Sequence, residues 1–294
     1  MTNDAVGRRN VLTSAAPAII VGAIAIAEAP LAHGAEAQPQ PQPRGSDADI
    51  YRFALNLEYM EAEYYTLAST GRGLGPADIG PNPGAVNGGR RVAFSNPVLE
   101  GFAQELAANE TAHVRFLRAT LGASGAIPRP PVDFRAGFAQ LAEAAGLGAD
   151  FDAFQNETTF FLGSMVFEDV GITAYKGAAP LLQDKEVLKA AAGILAVEAY
   201  HMGMTRSVLY RMGPRARGAA NRISDARDRL DGPADLDQGV ELNGRANVVP
   251  ADANGIVFSR TPQQVLRIVY GTDRPGVAGG GFFPAGVNGA LRGT

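Results

Sequence analysis

The sequence predicts an all-α protein whose centre is a four-helix bundle with one long crossover connection. Four stretches show the apolar spacing typical of helices and contain no proline beyond the first turn: 47–70, 97–121, 152–178 and 184–212. The second observation is the long connection of residues 122–151 between the second and third stretches. The chain is therefore expected to form two helical hairpins joined by a crossover.

The first hairpin has recognisable signals at the ends of its helices. Ser46 is placed to cap the first helix, which is expected to end at Gly71. Asn96 followed by Pro97 provides a cap and a first-turn proline for the second helix. The Gly/Pro/Asn-rich segment 71–95 between them is predicted to be a loop.

The second hairpin is predicted to have a very short turn. Its first helix should end at Pro180, after Gly177, and its second should start at Asp184 and end at Gly213. Two helices joined so closely are expected to lie antiparallel. The crossover before them contains a short helical segment near 132–145.

Residues 214–294 are predicted to form a C-terminal extension. Its first part alternates arginine with aspartate, which favours a solvated helix with surface ion pairs. Thr261 and Gln264 then have the spacing of a capping box for a short last helix. The glycine-rich tail 276–294 is expected to be either an ordered wrap or an arm that contacts another chain, so a homo-oligomer is possible.

The N-terminal residues have the features of an export signal. Arg8 and Arg9 precede a weakly apolar run, and Ala35-Glu36-Ala37 has the form of a cleavage site. Residues 1–37 therefore resemble a twin-arginine signal peptide, which predicts a periplasmic or secreted protein without stable membrane insertion after cleavage. The Pro/Gln-rich residues 38–45 are predicted to be a linker, followed by the bundle at 46–213.

Composition excludes several kinds of chemistry. The 294 residues contain no cysteine, which removes disulfides, thiolate metal sites and thiol nucleophiles. A formal charge of −4 argues against a nucleic-acid partner. The chain has three histidines, and His33 lies within the predicted signal. Chemistry in the remaining chain therefore depends on His113 and His201.

Each of these two histidines follows a glutamate by three residues. Glu110 precedes His113 in the second helix, and Glu198 precedes His201 in the fourth. Positions i and i+3 lie on one helical face, so each pair can bind the same metal site. Two such motifs, with one glutamate from each remaining helix, are what a di-iron or di-manganese carboxylate bundle requires.

The two hairpins also repeat a second pattern. Glu58 is followed seven residues later by Tyr65, and Glu168 is followed seven residues later by Tyr175. Seven residues are two helical turns, so each tyrosine shares the face of its glutamate and can hydrogen-bond a ligand from a neighbouring helix. A redox or hydrogen-bonding role makes Tyr65 and Tyr175 candidate catalytic residues, and core packing alone explains them equally well. The repeat indicates an internal duplication.

The metal ligands are predicted to be Glu58 or Glu61, with the two Glu-x-x-His motifs and Glu168. Glu61 lies three residues after Glu58 on the same helical face, so it competes for the role of first-helix ligand. Glu58 is favoured because a tyrosine follows it by seven residues, as one follows Glu168. Carboxylates and imidazoles suit two iron or two manganese ions. A buried polar network without metal is the alternative, but four buried carboxylates are costly unless cations balance them.

Five segments extend the pattern beyond the metal ligands: Leu55–Tyr65, Phe167–Pro180, Gly193–His201, Phe258–Pro262 and Gly281–Pro284. Through these segments the chain resembles the ferritin-like family that includes plant desiccation-related proteins. The resemblance covers roughly residues 46–290 and implies a ferritin-like bundle. Three functions are expected: peroxide or oxygen reduction or ferrous oxidation, metal storage, and structural protection during drying without turnover.

Overall fold

A computed structural model describes residues 45–294, and every structural statement below concerns these residues. The predicted signal peptide and residues 38–44 of the linker lie outside them. Four long helices form the bundle: α1 (Asp47–Thr70), α2 (Pro97–Gly125), α4 (Glu157–Ala178) and α5 (Lys185–Arg211). Helix α1 packs on α2, α4 packs on α5, and α1 also contacts α4. Together these four helices form the predicted all-α bundle.

Shorter elements complete the described part of the chain. Three further helices are α3 (Phe134–Ala144), α6 (Pro214–Asp231) and α7 (Pro262–Tyr270), and a 3-10 turn spans Ala179–Leu181. Strands β1 (Val86–Asn87) and β2 (Val132–Asp133) pair in parallel, and β3 (Glu241–Leu242) and β4 (Arg245–Ala246) pair antiparallel. Within residues 45–294, no helix combines the length and apolar character needed to cross a bilayer.

Local hydrogen bonds explain where the bundle helices begin and end. Ser46 caps α1, and Gly71 ends it in the left-handed conformation with φ 77°. Gly122, with φ 70°, interrupts α2 directly after its predicted end, and one irregular turn follows. The predicted start of the third helix at residue 152 was wrong. Asn156 and Thr159 form a capping box that starts α4 at Glu157.

An aromatic cluster joins the crossover and the tail to the bundle. Tyr64 of α1 lies 4.9 to 5.7 Å, between ring centroids, from five phenylalanines: Phe134, Phe138, Phe154, Phe160 and Phe167. Phe282 of the tail contacts Phe138 and Phe167 with centroid distances of 4.9 and 5.1 Å. Four of these seven ring pairs are edge-to-face, and such pairs stabilise a core beyond simple area burial. The tail is thus an ordered wrap in this chain.

The Arg/Asp-rich segment corrects the sequence prediction. It does form a helix, α6, but Arg227 and Asp231 are buried rather than solvated. Arg227 lies on the same stripe as Ala220 and Ile223, at a spacing of seven and four residues, so the face of the helix that packs against the bundle includes it. Alternating charges in the sequence did not show which face was covered.

These charges belong to a buried ion-pair network that links α6 and residues 231–260 to the bundle. Arg227 bridges Asp169 and Asp237, with nitrogen–oxygen distances of 2.8 and 2.6 Å. Arg206 contacts Asp169 at 2.7 Å. Arg260 contacts Asp237 at 2.9 Å and also pairs with Asp231. Three arginines and three aspartates therefore balance one another in the interior.

Removal of one member of this network should destabilise the protein strongly. We expect Arg227→Ala to lower the free energy of unfolding by about 3 to 5 kcal/mol, because two buried carboxylates each lose a partner. Arg222→Ala, at an exposed position on the same helix, should change it by less than about 0.5 kcal/mol. Urea unfolding measures both. Similar small effects for the two variants would contradict a stabilising network.

Candidate metal centre

The four long helices bring six carboxylate and imidazole side chains together in the middle of the bundle. Each hairpin contributes two glutamates and one histidine. The six residues are Glu58, Glu110, His113, Glu168, Glu198 and His201. The four glutamates are fully buried, and the two histidines are almost so. Residues that are far apart in the sequence thus meet because their helices pack side by side.

The six residues form two groups of four that share two members. The first group consists of Glu58, Glu110, His113 and Glu198, and the second of Glu110, Glu168, Glu198 and His201. In each group, one potential ligand atom from every residue lies within 4.8 Å of the others. Glu110 and Glu198 occur in both groups. This is the arrangement in which two carboxylates can bridge two cations.

Both imidazoles direct the same nitrogen towards the carboxylates. His113 Nδ1 lies 3.2 Å from Glu58 Oε2 and from Glu110 Oε2. His201 Nδ1 lies 2.9 Å from Glu110 Oε1 and 3.3 Å from Glu168 Oε2. The two oxygens of Glu110 therefore face different histidines. A carboxylate with one oxygen in each half of the site is suited to bridging.

Several polar atoms in this cluster have no hydrogen-bond partner within the described chain. Both carboxylate oxygens of Glu198 are in this position, as are Glu110 Oε1, Glu168 Oε2 and His201 Nδ1. The 2.9 Å contact of His201 with Glu110 is close, but it is not aligned as a hydrogen bond. Leaving such atoms unpaired costs about 1 to 3 kcal/mol each. Oxygen and nitrogen lone pairs that converge on one place, with no hydrogen-bond donor between them, are typical of a site for cations.

Two tyrosines hold the outer glutamates, each from the opposite hairpin. Tyr65 of α1 donates a hydrogen bond of 2.5 Å to Glu168 Oε1 on α4. Tyr175 of α4 donates one to Glu58 Oε1 on α1. Burial and the adjacent glutamate raise the pKa of each tyrosine well above its usual value, so both hydroxyls stay protonated. Each outer glutamate thus keeps its other oxygen, Oε2, directed at the centre.

The electrostatics of the cluster show how strongly it attracts positive charge. Burial lowers the pKa of both imidazoles, but the carboxylates outweigh it and raise the pKa of His113 to about 12 and that of His201 to about 11. Burial and the charges of Glu110 and Glu168 raise the pKa of Glu198 well above its usual value. Without metal, protons supply the positive charge. Bound cations would have to displace them.

Glu61 lies beside this cluster but belongs to neither group of four. Its carboxyl is buried, and burial together with the charge of Glu198 raises its pKa well above the usual value. No hydrogen bond or ion pair of its carboxylate occurs within residues 45–294. The geometry therefore favours Glu58 over Glu61 as the α1 member of the site.

Gly171 makes room for two of these carboxylates. It lies three residues after Glu168, as Glu61 lies three residues after Glu58. A Cβ atom at position 171 would be 2.6 Å from Glu198 Oε2 and 3.4 Å from Glu61 Oε1. Sequence reasoning missed this position, although comparison of the two repeats identifies it as the place where glycine replaces a carboxylate.

Other acidic residues near the motifs have partners away from the cluster. Asp169 pairs with arginines of the buried ion-pair network. Glu63 pairs with Arg129 and accepts a hydrogen bond of 3.1 Å from the backbone of Leu74. Glu157 accepts hydrogen bonds from the backbone of the two residues directly before α2. None of these three belongs to either group of candidate ligands.

Comparison with known proteins agrees with this architecture. The family model described as "Ferritin-like domain" matches residues 46–211. The chain belongs to the ferritin-like family. A ferritin-like catalase, Nec2, from Nesocodon mauritianus is 32% identical over 270 residues, covering 84% of this chain and 85% of the relative. Desiccation-related protein PCC13-62 from Craterostigma plantagineum is 32% identical over 246 residues, covering 75% and 76%. No solved structure matches.

Substitution of Gly171 should damage the site without unfolding this ferritin-like protein. In Gly171→Ala, the new methyl group displaces the carboxylate of Glu198, so we expect fewer manganese ions bound per chain. The thermal midpoint should fall little, because alanine favours a helix over glycine by about 1 kcal/mol. Gly193→Ala on α5 meets no atom within 4 Å and serves as the control. Elemental analysis and a thermal melt test this, and full metal content in Gly171→Ala would contradict it.

Proposed function

We propose that this protein binds two manganese or two iron ions and converts hydrogen peroxide to water and oxygen. The observation that carries the proposal is the pair of four-residue groups that share Glu110 and Glu198. Bound manganese or iron supplies the two-electron redox change that the reaction 2 H2O2 → 2 H2O + O2 needs. A relative named as a ferritin-like catalase, similar over 84% of this chain, supports the same activity.

The charges and ligand types of the cluster support manganese or iron. Four carboxylates carry the negative charge that two divalent cations would neutralise. Hard oxygen ligands with one imidazole for each group suit manganese and iron better than soft copper(I). Glu110 and Glu198 would hold both ions, while His113 and His201 would each bind one. Glu58 on α1 would complete the first group, and Glu168 on α4 would complete the second.

The surrounding residues control orientation and access. Tyr65 and Tyr175 hold Glu168 and Glu58 in one orientation, which makes them positioning residues. The four glutamates are fully buried, so the packing around them keeps bulk water away from the cluster. The histidine side chains are 11% and 5% exposed, so the side of the cluster that α2 and α5 form is its more accessible side.

A structural role in drying stress is a second candidate. It is favoured by the similarity to a desiccation-related protein over 75% of this chain. Ligands from all four long helices would let two ions cross-link the bundle without turnover. In both cases the protein would act in stress. Metal storage with slow turnover requires the same centre.

The catalase proposal is tested by metal content and oxygen release. We expect two manganese or iron ions per chain and oxygen evolution from peroxide. Glu110→Gln should reduce metal affinity by more than the 10- to 100-fold loss that is typical when an outer-shell partner is removed. Glu105→Gln, at an exposed position of the same helix, should leave both measurements unchanged.

Metal content and activity together separate the candidate functions. Fewer than one ion per chain would overturn the metal centre. Full metal content with ferrous oxidation but no oxygen release would favour a ferroxidase or storage protein. Full metal content with neither activity would favour the structural role.

We also propose that the protein is exported. The support is the Arg8-Arg9 pair, followed by an apolar run and a small-residue cleavage site that ends at Ala37. Replacement of both arginines by lysine should keep the precursor in the cytoplasm, as measured by cell fractionation and immunoblotting. Arg44→Lys, beyond the cleavage site, is the control. Unchanged export of the twin-lysine variant would contradict this route.

A further inference from the structure

The two halves of the internal repeat supply the same ligands but differ at the residue directly before each Glu-x-x-His motif. Each Glu-x-x-His motif supplies the same pair of side chains to the cluster. The residue before the first motif is Asn109, and the residue before the second is Val197. An amide therefore stands in one half of the repeat where an aliphatic side chain stands in the other.

Asn109 contacts the histidine of the opposite hairpin. Its side-chain amide nitrogen, Nδ2, lies 3.1 Å from His201 Nε2. Because His201 Nδ1 faces Glu110 and Glu168, this nitrogen has to carry the lone pair that binds a cation. Nε2 then carries the proton, and a half-turn of the Asn109 amide, which exchanges Nδ2 for Oδ1, lets the amide oxygen accept this hydrogen bond. The hydrogen bond fixes both the tautomer and the orientation of the His201 ring.

His113 lacks the equivalent contact. Its Nδ1 also faces the carboxylates, but its Nε2 has no hydrogen-bond partner within residues 45–294. The repeat assigns Val197 to the register that corresponds to Asn109, and an aliphatic side chain cannot accept a hydrogen bond. The His113 side chain is also about twice as exposed as that of His201, 11% against 5%. Water is the partner that remains.

Building on the proposed dinuclear centre, we infer that its two cation sites are unequal and that Asn109 is the positioning residue that makes the His201 site the tighter one. An imidazole already oriented by a partner loses less freedom when it binds a metal, and such partners change metal affinity by about 10- to 100-fold. The His113 site is then the one that loads last and exchanges its ion with solvent. A half-loaded protein holds its ion at His201.

The inference is tested by manganese(II) titration of the full-length mature protein, with free manganese measured by electron paramagnetic resonance. Wild type should bind two ions with dissociation constants at least about tenfold apart. Asn109→Val should weaken the tighter step by about 10-fold or more. Val197→Asn should tighten the weaker step. The double variant moves the amide to the other half and should restore the difference in affinity.

Single-site variants show which half is the tighter one. His113→Ala should keep the tighter of the two wild-type sites, whereas His201→Ala should keep only the weaker. In the double variant this assignment should reverse, which a merely structural role of Asn109 would not produce. Circular dichroism verifies that each variant is folded, and Val197→Asn tests the inference on its own if Asn109→Val does not fold.

The outcomes separate this inference from the proposed function. Absence of manganese binding by wild type would overturn the dinuclear centre itself. Two ions bound with equal affinity, or a ratio unchanged in both single variants, would overturn the inequality while leaving the centre intact. A preserved ratio in Asn109→Val alone would show that another residue orients His201.

Discussion

The burial of four carboxylates at the centre of the bundle is the constraint on which the rest of the structure depends. Ionised glutamates in an apolar interior are stable only when positive charge accompanies them. Without metal, the imidazoles of His113 and His201 carry that charge, and their raised pKa values express the attraction. The same attraction favours divalent cations, which bring twice the charge of a proton. Because the four carboxylates repel one another, the packing of the long helices must hold them together.

Features far from the centre supply that restraint. The buried ion-pair network contacts α4 through Asp169, the residue directly after Glu168. The aromatic cluster fixes α1 at Tyr64, beside the tyrosine that holds Glu168. The tail adds reciprocal hydrogen bonds of 2.9 Å between Asn288 and Asn56. The C-terminal extension is thus part of the scaffold that positions the site.

Sequence analysis predicted the features that repeat and missed those that depend on contact. The spacing of Glu110 and His113 follows from helix geometry, so the face they share could be read directly. The burial of Arg227 could not be read from its alternating charges, because only packing decides which face of α6 is covered. The start of α4 was misplaced because the cap at Asn156 competes with apolar spacing before it. The roles of Asn109 and Gly171 depend on atoms of other helices that lie beside them, and the sequence does not show those contacts.

The exchange of tyrosines between the hairpins bears on how such a centre could have arisen. Tyr65 holds a glutamate of the second hairpin, and Tyr175 holds one of the first, which is the reciprocal pattern of a twofold interface. Two separate copies of one hairpin could make the same contacts, but their halves would have to remain identical. Fusion into one chain removes that requirement. The two halves can then differ, as they do between Asn109 and Val197 and between Glu61 and Gly171.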